Sequence, residues 1–217
     1  MKLLHISASP RGAASESLAI ASTLTSAFLE APGRSGADRS GADREVEHWD
    51  LWDGTLPEFG PVAAAAKMAI FGGVPLTPEQ TAVWQGVRSA YERFVAADAY
   101  LFSVPMWNAG VPYILKQFID VVSQPGMVFD FDPEIGYTGL VEGRKAAVVY
   151  TSAVYGEDRG LAYGADFQTA PFADWLRWAG VKEVAEVRFR PNLVTRHADA
   201  GREAAHARAA RIGAEFF

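Results

Sequence analysis

Five short segments of the chain read as buried strands: Leu3 to Ser7, Val46 to Leu51, Ala99 to Val104, Lys145 to Tyr150 and Glu183 to Arg190. They are short, largely apolar and bounded by turn formers, as strands covered on both faces are. Between them lie segments of helical period. From Ser15 to Glu30 the apolar positions Leu18, Ala19, Ala21, Leu24, Ala27 and Phe28 share one side, with Ser15 placed to cap the start. Ala63 to Met68 reads as a short helix. Thr77-Pro78-Glu79-Gln80 carries a cap, a first-turn proline and a capping-box glutamine, and opens a helix reaching about Ala97. Further helices are expected from Val111 to Val122, with Pro112 at the start, from Phe167 to Ala179, ended by Gly180, and from His197 to Phe217. Phe129 to Gly139 is polar-aromatic and reads as an excursion or a short hairpin. Strand and helix thus alternate, which predicts an α/β protein: a doubly wound, five-stranded parallel sheet with helices on both faces.

One interruption breaks the pattern. Ala31 to Arg44 is polar and contains Ser-Gly-Ala-Asp-Arg twice in tandem. Two copies of a pentapeptide cannot build a solenoid, so the stretch reads as a solvated loop insertion at about residues 31–44 of a single domain spanning residues 1–217. Composition agrees with a globular domain: of 217 residues, 49% are hydrophobic and 21% charged. Twenty Lys and Arg against 26 Asp and Glu give a net charge of −6, which argues against a nucleic-acid partner. There is no cysteine, so thiolate catalysis, disulfides and Cys-ligated metal centres are excluded. The start, Met1-Lys2-Leu3-Leu4-His5-Ile6, is too short an apolar run for a secretory signal. No stretch approaches the length of a membrane span, so a cytoplasmic protein without membrane attachment is expected.

In a sheet of this kind ligands sit beyond the carboxyl ends of the strands, at a switch point, so the loops after the first, third and fourth strands carry the candidate chemistry. The first reads Ser9-Pro10-Arg11-Gly12-Ala13-Ala14-Ser15-Glu16-Ser17. Its hydroxyls open a helix whose first amides lack intrahelical acceptors, and the helix dipole adds positive potential there. Together these suit a phosphate monoester. Arg11 would add charge or point to solvent. Neither a Walker lysine nor a Gly-x-Gly-x-x-Gly run is present, which favours a mononucleotide over a triphosphate or dinucleotide. The second loop, Val104-Pro105-Met106-Trp107-Asn108-Ala109-Gly110-Val111-Pro112, combines proline restraint, apolar surface and an amide with both donor and acceptor. That set suits a flat heteroaromatic ring, although a rigid loop with Trp107 packed into the core is the plain alternative. The third reads Thr151-Ser152-Ala153-Val154-Tyr155-Gly156.

Three of these segments together, Ser-x-Ser-Pro-Arg-Gly, Pro-Met-Trp-Asn-x-x-x-Pro-x-x-Leu-Lys-Gln-Phe-Ile-Asp and Gly-Leu-Val-x-Gly-Arg-Lys-Ala, resemble the FMN-dependent NADH:quinone oxidoreductase and azoreductase family, which has a flavodoxin-like fold. The resemblance implies bound FMN. Ser9, Arg11, Ser15, Glu16 and Ser17 would hold the phosphate, and Pro105, Met106, Trp107, Asn108 and Ala109 would line the isoalloxazine. Thr151, Ser152, Ala153, Val154 and Tyr155 would complete the ring site. It also implies NADH or NADPH as electron donor, a quinone or aromatic azo compound as acceptor, and a homodimer in which Phe129, Phe131 and Trp178 shape the substrate pocket. Packing in the core or a dimer interface is the other reading of those aromatics. Ala109 replaces a larger apolar residue usual in the family, and Val154 and Tyr155 replace a usual glycine pair, so altered geometry is expected there.

The implied chemistry is a two-step hydride relay with ping-pong kinetics. It needs no catalytic side chain, because the flavin carries the redox step. A flavodoxin-type electron carrier and a non-catalytic flavin-binding protein are the alternatives. The histidines, His5, His48, His197 and His206, show no metal-chelating spacing, and His5 reads as a satisfied core residue.

Overall fold

A computed structural model describes residues 1–31, 44–193 and 195–217. The tandem-repeat insertion therefore falls almost entirely outside the described residues. Seven strands and six α-helices follow in the order β1 (Lys2–Ser7), α1 (Glu16–Glu30), β2 (Glu45–Asp50), α2 (Pro61–Phe71), α3 (Pro78–Val95), β3 (Ala99–Pro105), α4 (Tyr113–Val122), β4 (Phe129–Asp132), β5 (Gly136–Gly139), β6 (Lys145–Thr151), α5 (Thr169–Ala179), β7 (Glu183–Phe189) and α6 (Ala198–Glu215). Five of them form one parallel sheet in the order β2-β1-β3-β6-β7, and β4 and β5 pair separately as an antiparallel hairpin. The five-stranded expectation holds, with β6 and β7 as the fourth and fifth sheet strands.

The chain winds from β1 to β2 on one side, then crosses back to β3 on the other. Diverging loops therefore open between β1 and β3, the switch point at which such sheets bind ligands. Alternate residues of each strand feed two cores. Leu4, Ile6, Tyr100, Phe102, Val148 and Tyr150 pack against α3, α4 and α5. Leu3, Ala99, Leu101, Val149 and Val187 face α1 and α6. This double burial is why β1, β3 and β6 are apolar without alternation. The edge strands differ: β2 carries Glu45 and Glu47, and β7 carries Glu183, Glu186 and Arg188, charges that discourage pairing with another sheet.

Local signals set the helix ends. Thr77 Oγ1 accepts from the Gln80 amide at 3.2 Å while Gln80 Oε1 accepts from the Thr77 amide at 2.9 Å, completing the capping box. Ser15 Oγ accepts from the Leu18 amide at 3.3 Å. Gly180, at φ 105, closes α5 in the left-handed region that glycine favours. The start of α5 lies at Thr169, two residues beyond the expected Phe167, and the Asp166 carboxylate holds the turn before it by accepting from the Gln168 and Thr169 amides at 3.0 and 2.8 Å. Among the described residues no helix is long and apolar enough to cross a membrane.

Helices α1 and α6 approach each other closely. Gly213 of α6 is buried, and a methyl group there would overlap the Leu24 carbonyl oxygen and crowd Ala27 and the Phe28 amide. The nearest atoms are α1 backbone, and the Ala27 methyl has no freedom to yield. Gly213→Ala is therefore expected to destabilise by about 1–3 kcal/mol despite the better helix propensity of alanine. Urea denaturation would show a lower midpoint with an unchanged slope.

Candidate functional site

The first loop assembles a buried hydroxyl cluster. Ser7, Ser9, Ser15 and Ser17 are all buried. Ser15 Oγ lies 3.1 Å from Ser17 Oγ, and the Ser9 amide donates to Ser7 Oγ at 3.4 Å. A single 3-10 turn, Gly12–Ala14, swings the chain into α1, with Gly12 at φ 50. The amides of Glu16 and Ser17, in the first turn, have no acceptor within the helix. Arg11 is exposed and makes no ion pair among the described residues. Glu16 turns away: its carboxylate pairs with Arg202 of α6 at 2.8 Å. Only its backbone is left for the loop, which removes the conflict between a carboxylate and a bound phosphate.

Behind this cluster, Ser103 of β3 donates to the Ser17 carbonyl at 3.3 Å and lies 2.8 Å from His5 Nε2. Burial, with a smaller push from neighbouring His48, lowers the His5 imidazole to about 3, so it is neutral at ordinary pH. His5 is thus a satisfied core histidine that braces the start of α1 through Ser103.

The second loop folds back on itself. The Trp107 amide donates to the Gly110 carbonyl and the Gly110 amide to the Trp107 carbonyl, both at 2.9 Å. Asn108 and Ala109 between them sit at φ 47 and φ 70. Two positive φ values inside a doubly bonded two-residue turn are the signature of a type I′ hairpin. Asparagine tolerates that region and alanine does not. Ala109→Gly is expected to stabilise by roughly 0.5–1 kcal/mol, and Ala109→Val to destabilise by at least as much. Paired thermal melts would show opposite shifts.

Trp107 does not point into the core. Its ring packs 5.7 Å from Trp52 and 6.2 Å from Tyr113, and Trp52 Nε1 donates to the Ala8 carbonyl at 3.0 Å. This partly exposed trio ties the second loop to the first. Met106, Asn108 and Ala109 instead form one wall of a cleft of ≈ 210 Å³ whose other wall is Ser152, Ala153, Val154 and Tyr155, closed at one end by Tyr163, Gly164 and Ala165. Pro105 and Thr151 are paired strand ends behind it, and the Thr151 carbonyl accepts from the Met106 amide at 2.7 Å. Val154 and Tyr155 have ordinary negative φ. Ser152 Oγ accepts from the Tyr155 amide at 3.0 Å, so a side-chain bond fixes this turn.

Below the cleft sits Arg190, the residue after β7, with its side chain 1% exposed. It reaches Asp166, Thr169 and Gln168 at 3.0, 2.9 and 3.3 Å with one terminal nitrogen and Glu157 with the other. Its guanidinium lies over the rings of Tyr155 and Tyr150, at 5.2 and 5.6 Å. Burial alone would raise the Asp166 carboxyl. Hydrogen bonds from Thr169 and Gln168 and the Arg190 charge outweigh it and hold the group below the usual carboxylate range. Glu157 is held low in the same way, by Arg188 and Arg190 against burial.

Phe129, Phe131 and Trp178 are not brought to this cleft within one chain. α5 starts beside the loops and descends the sheet, and Val141, just before β6, donates to the Ala179 carbonyl at 2.9 Å. Trp178 therefore lies at the end where the strands begin. Phe129 packs 4.4 Å from it, and Phe131 packs on Tyr137, in a cluster borne by the hairpin. Trp175 is core, against Phe172. Residues the sequence did not single out are Trp52, Tyr113, Tyr163, Gly164, Ala165, Asp166 and Arg190. Only Trp52 carried a signal, an aromatic placed just past the end of a strand.

A family model described as the flavodoxin-like fold matches residues 1–212. The chain is 42% identical over 200 residues to the FMN-dependent NADH:quinone oxidoreductase of Ruegeria pomeroyi, covering 92% of this chain and 94% of that one. It is 40% identical over 226 residues to FMN-dependent NADH:quinone oxidoreductase 2 of Pseudomonas syringae pv. tomato, covering 99% and 98%. Among solved structures, an azoreductase from Bacillus anthracis superposes over all of both chains with a TM-score of 0.86 at 22% identity, a likeness of fold. With its sheet order, its three loops and these relatives, the chain belongs to the FMN-dependent NADH:quinone oxidoreductase family of flavodoxin-like fold.

Proposed function

We propose that this protein is an FMN-dependent oxidoreductase that takes electrons from NADH or NADPH and reduces quinones or aromatic azo compounds. The buried hydroxyl cluster at the start of α1 carries the reading. Ser9, Ser15 and Ser17 would donate to the FMN phosphate together with the amides of Glu16 and Ser17, and Arg11 would lie at its solvent side. These donors are neutral and the one adjacent carboxylate is turned to Arg202, so the set fits a phosphate dianion. Met106, Asn108 and Ala109 on one wall and Ser152, Ala153, Val154 and Tyr155 on the other would hold the ring. Pro105 and Thr151 support those walls from behind, and Trp107 braces the second loop through Trp52.

Held there, FMN would supply two-electron redox chemistry between a nicotinamide donor and a quinone or azo acceptor. The chain's own part is to place the ring, exclude water from the cleft floor and leave one face open to donor and acceptor in turn. One shared face implies ping-pong kinetics. Phe129, Phe131 and Trp178, remote from the cleft of their own chain, would reach a neighbour's site in a homodimer. A dimer acting in the cytoplasm belongs to the same reading.

Absorbance of the purified protein tests it. FMN should be retained or taken up, bleached by NADH within seconds, and restored by added quinone. Colourless protein that fails to take up FMN would overturn the reading. Flavin that NADH does not bleach would favour an electron carrier instead. Intersecting double-reciprocal lines would remove the shared-face mechanism.

A further inference from the structure

We propose that Arg190 is a positioning residue that clasps the two walls of the cleft at a fixed separation. The inference rests on the assignment of that cleft under the proposed function, but its geometry stands apart from any bound group. On one side the guanidinium lies under the Tyr155 ring and pairs with Glu157, so it holds the loop after β6 at both ends of Tyr155-Gly156-Glu157. On the other it gathers Asp166, Gln168 and Thr169 at the start of α5.

That second group continues directly into the opposite wall. Gln168 Nε2 donates to the Val104 carbonyl at 2.8 Å, and the Phe167 amide donates to the Ala109 carbonyl at 2.9 Å. Gly110 pairs with Phe167 as an isolated bridge. A continuous path of hydrogen bonds and ring contact therefore runs from Ala109 through Phe167, Gln168 and Arg190 to Tyr155. The path passes beneath the cleft whose walls are Ala109 and Tyr155.

The geometry also explains why an arginine stands here. Acceptors lie in two directions, Asp166, Thr169 and Gln168 around one terminal nitrogen and Glu157 at the other, and a planar fork spans both. A lysine is a point charge and could not face both groups at once. Removing the fork frees each wall to move against the other, and a displacement of about 1 Å in a ring site costs up to roughly 100-fold in rate.

Two variants test the clasp. Glu157→Gln weakens the half-exposed end of the clasp, together with the Glu157–Arg188 pair, and leaves the core intact, whereas Arg190→Met removes the fork. Amide hydrogen exchange on the protein without added flavin gives a readout independent of cofactor binding. Residues 107–110 and 153–157 should exchange faster together, by roughly tenfold in Arg190→Met and less in Glu157→Gln, while residues 9–17 keep their rates. With FMN and NADH supplied, KM for a two-ring quinone should rise more than kcat falls, and Arg190→Lys should not restore it. Should Arg190→Met fail to fold, Glu157→Gln decides by the same exchange pattern. Acceleration confined to one wall, or equal acceleration at residues 9–17, would overturn the clasp. Failure of the unaltered chain to bind FMN would count against the proposed function and leave the exchange result to judge the clasp alone.

Discussion

Asp166→Ala is expected to lower stability by about 1.5–3 kcal/mol, because it leaves the buried Arg190 charge with Glu157 as its single carboxylate partner. The same substitution frees the turn that enters α5, since Asp166 accepts from the Gln168 and Thr169 amides and the Thr169 hydroxyl. Arg190→Met should cost less: Asp166 and Glu157 are 22% and 52% exposed and water can serve them. Combining the two should cost clearly less than the sum, because the second change removes the charge that the first stranded. Urea melts of the four proteins give that coupling, and strict additivity would mean the pair is not energetically linked. The acid side carries a matching signature. The folded-state Asp166 carboxyl lies below its unfolded value, so its stabilisation is complete above the unfolded pKa and is lost as pH falls through the folded one. Asp166→Asn, which keeps an acceptor for that turn, should flatten that acid limb while costing less at neutral pH.

The parts of the molecule legible in the sequence were those whose cause is local. β1, β3 and β6 are buried on both faces, and continuous apolar runs follow directly from that. The capping box at Thr77 and the glycine stop at Gly180 are each contained within a few residues. The Phe129 to Gly139 segment stayed open between excursion and hairpin because most of it is exposed, so no buried face imposes a period on it. At the candidate site the loops were legible from the strand ends, but the direction of single side chains was not. The Glu16 carboxylate would repel a phosphate were it not turned to Arg202, a partner 186 residues away that the sequence does not point to. Trp107 was assigned to the ring or to the core. It does not enter the core, because Trp52 and Tyr113 come from separate elements to receive it at the cleft end of the sheet. Asp166 carried no signal in the sequence and Arg190 read only as the end of the fifth strand, since what makes them a pair is a contact across 24 residues that no spacing rule encodes.

His5 supplies the second large effect, and its sign follows from its burial. The native imidazole titrates at about 3, whereas the unfolded one takes the ordinary value of 6.5. Between those values the unfolded chain binds a proton that the native chain does not, so stability must rise with pH across that window and level off above it. The full linkage is worth about 5 kcal/mol at most, and less where structure relaxes or water enters. The strain would fall on a functional segment, because His5 holds Ser103, and Ser103 holds the Ser17 carbonyl at the start of α1. His48 of β2, at 4.8 Å between ring centroids, adds repulsion once both rings are charged. His5→Gln keeps a polar group toward Ser103 and cannot titrate. Its melting temperature should be lower than that of the unaltered protein at pH 7, yet fall less between pH 6.5 and 4, so that the two curves converge on the acid side. Carboxylate titration is common to both proteins and cancels in the difference. A variant whose curve runs parallel to the unaltered one would show that the histidine is not the linked group. If the curves converge, FMN release on acidification should also be delayed in His5→Gln, since the same bond holds the hydroxyl cluster in place.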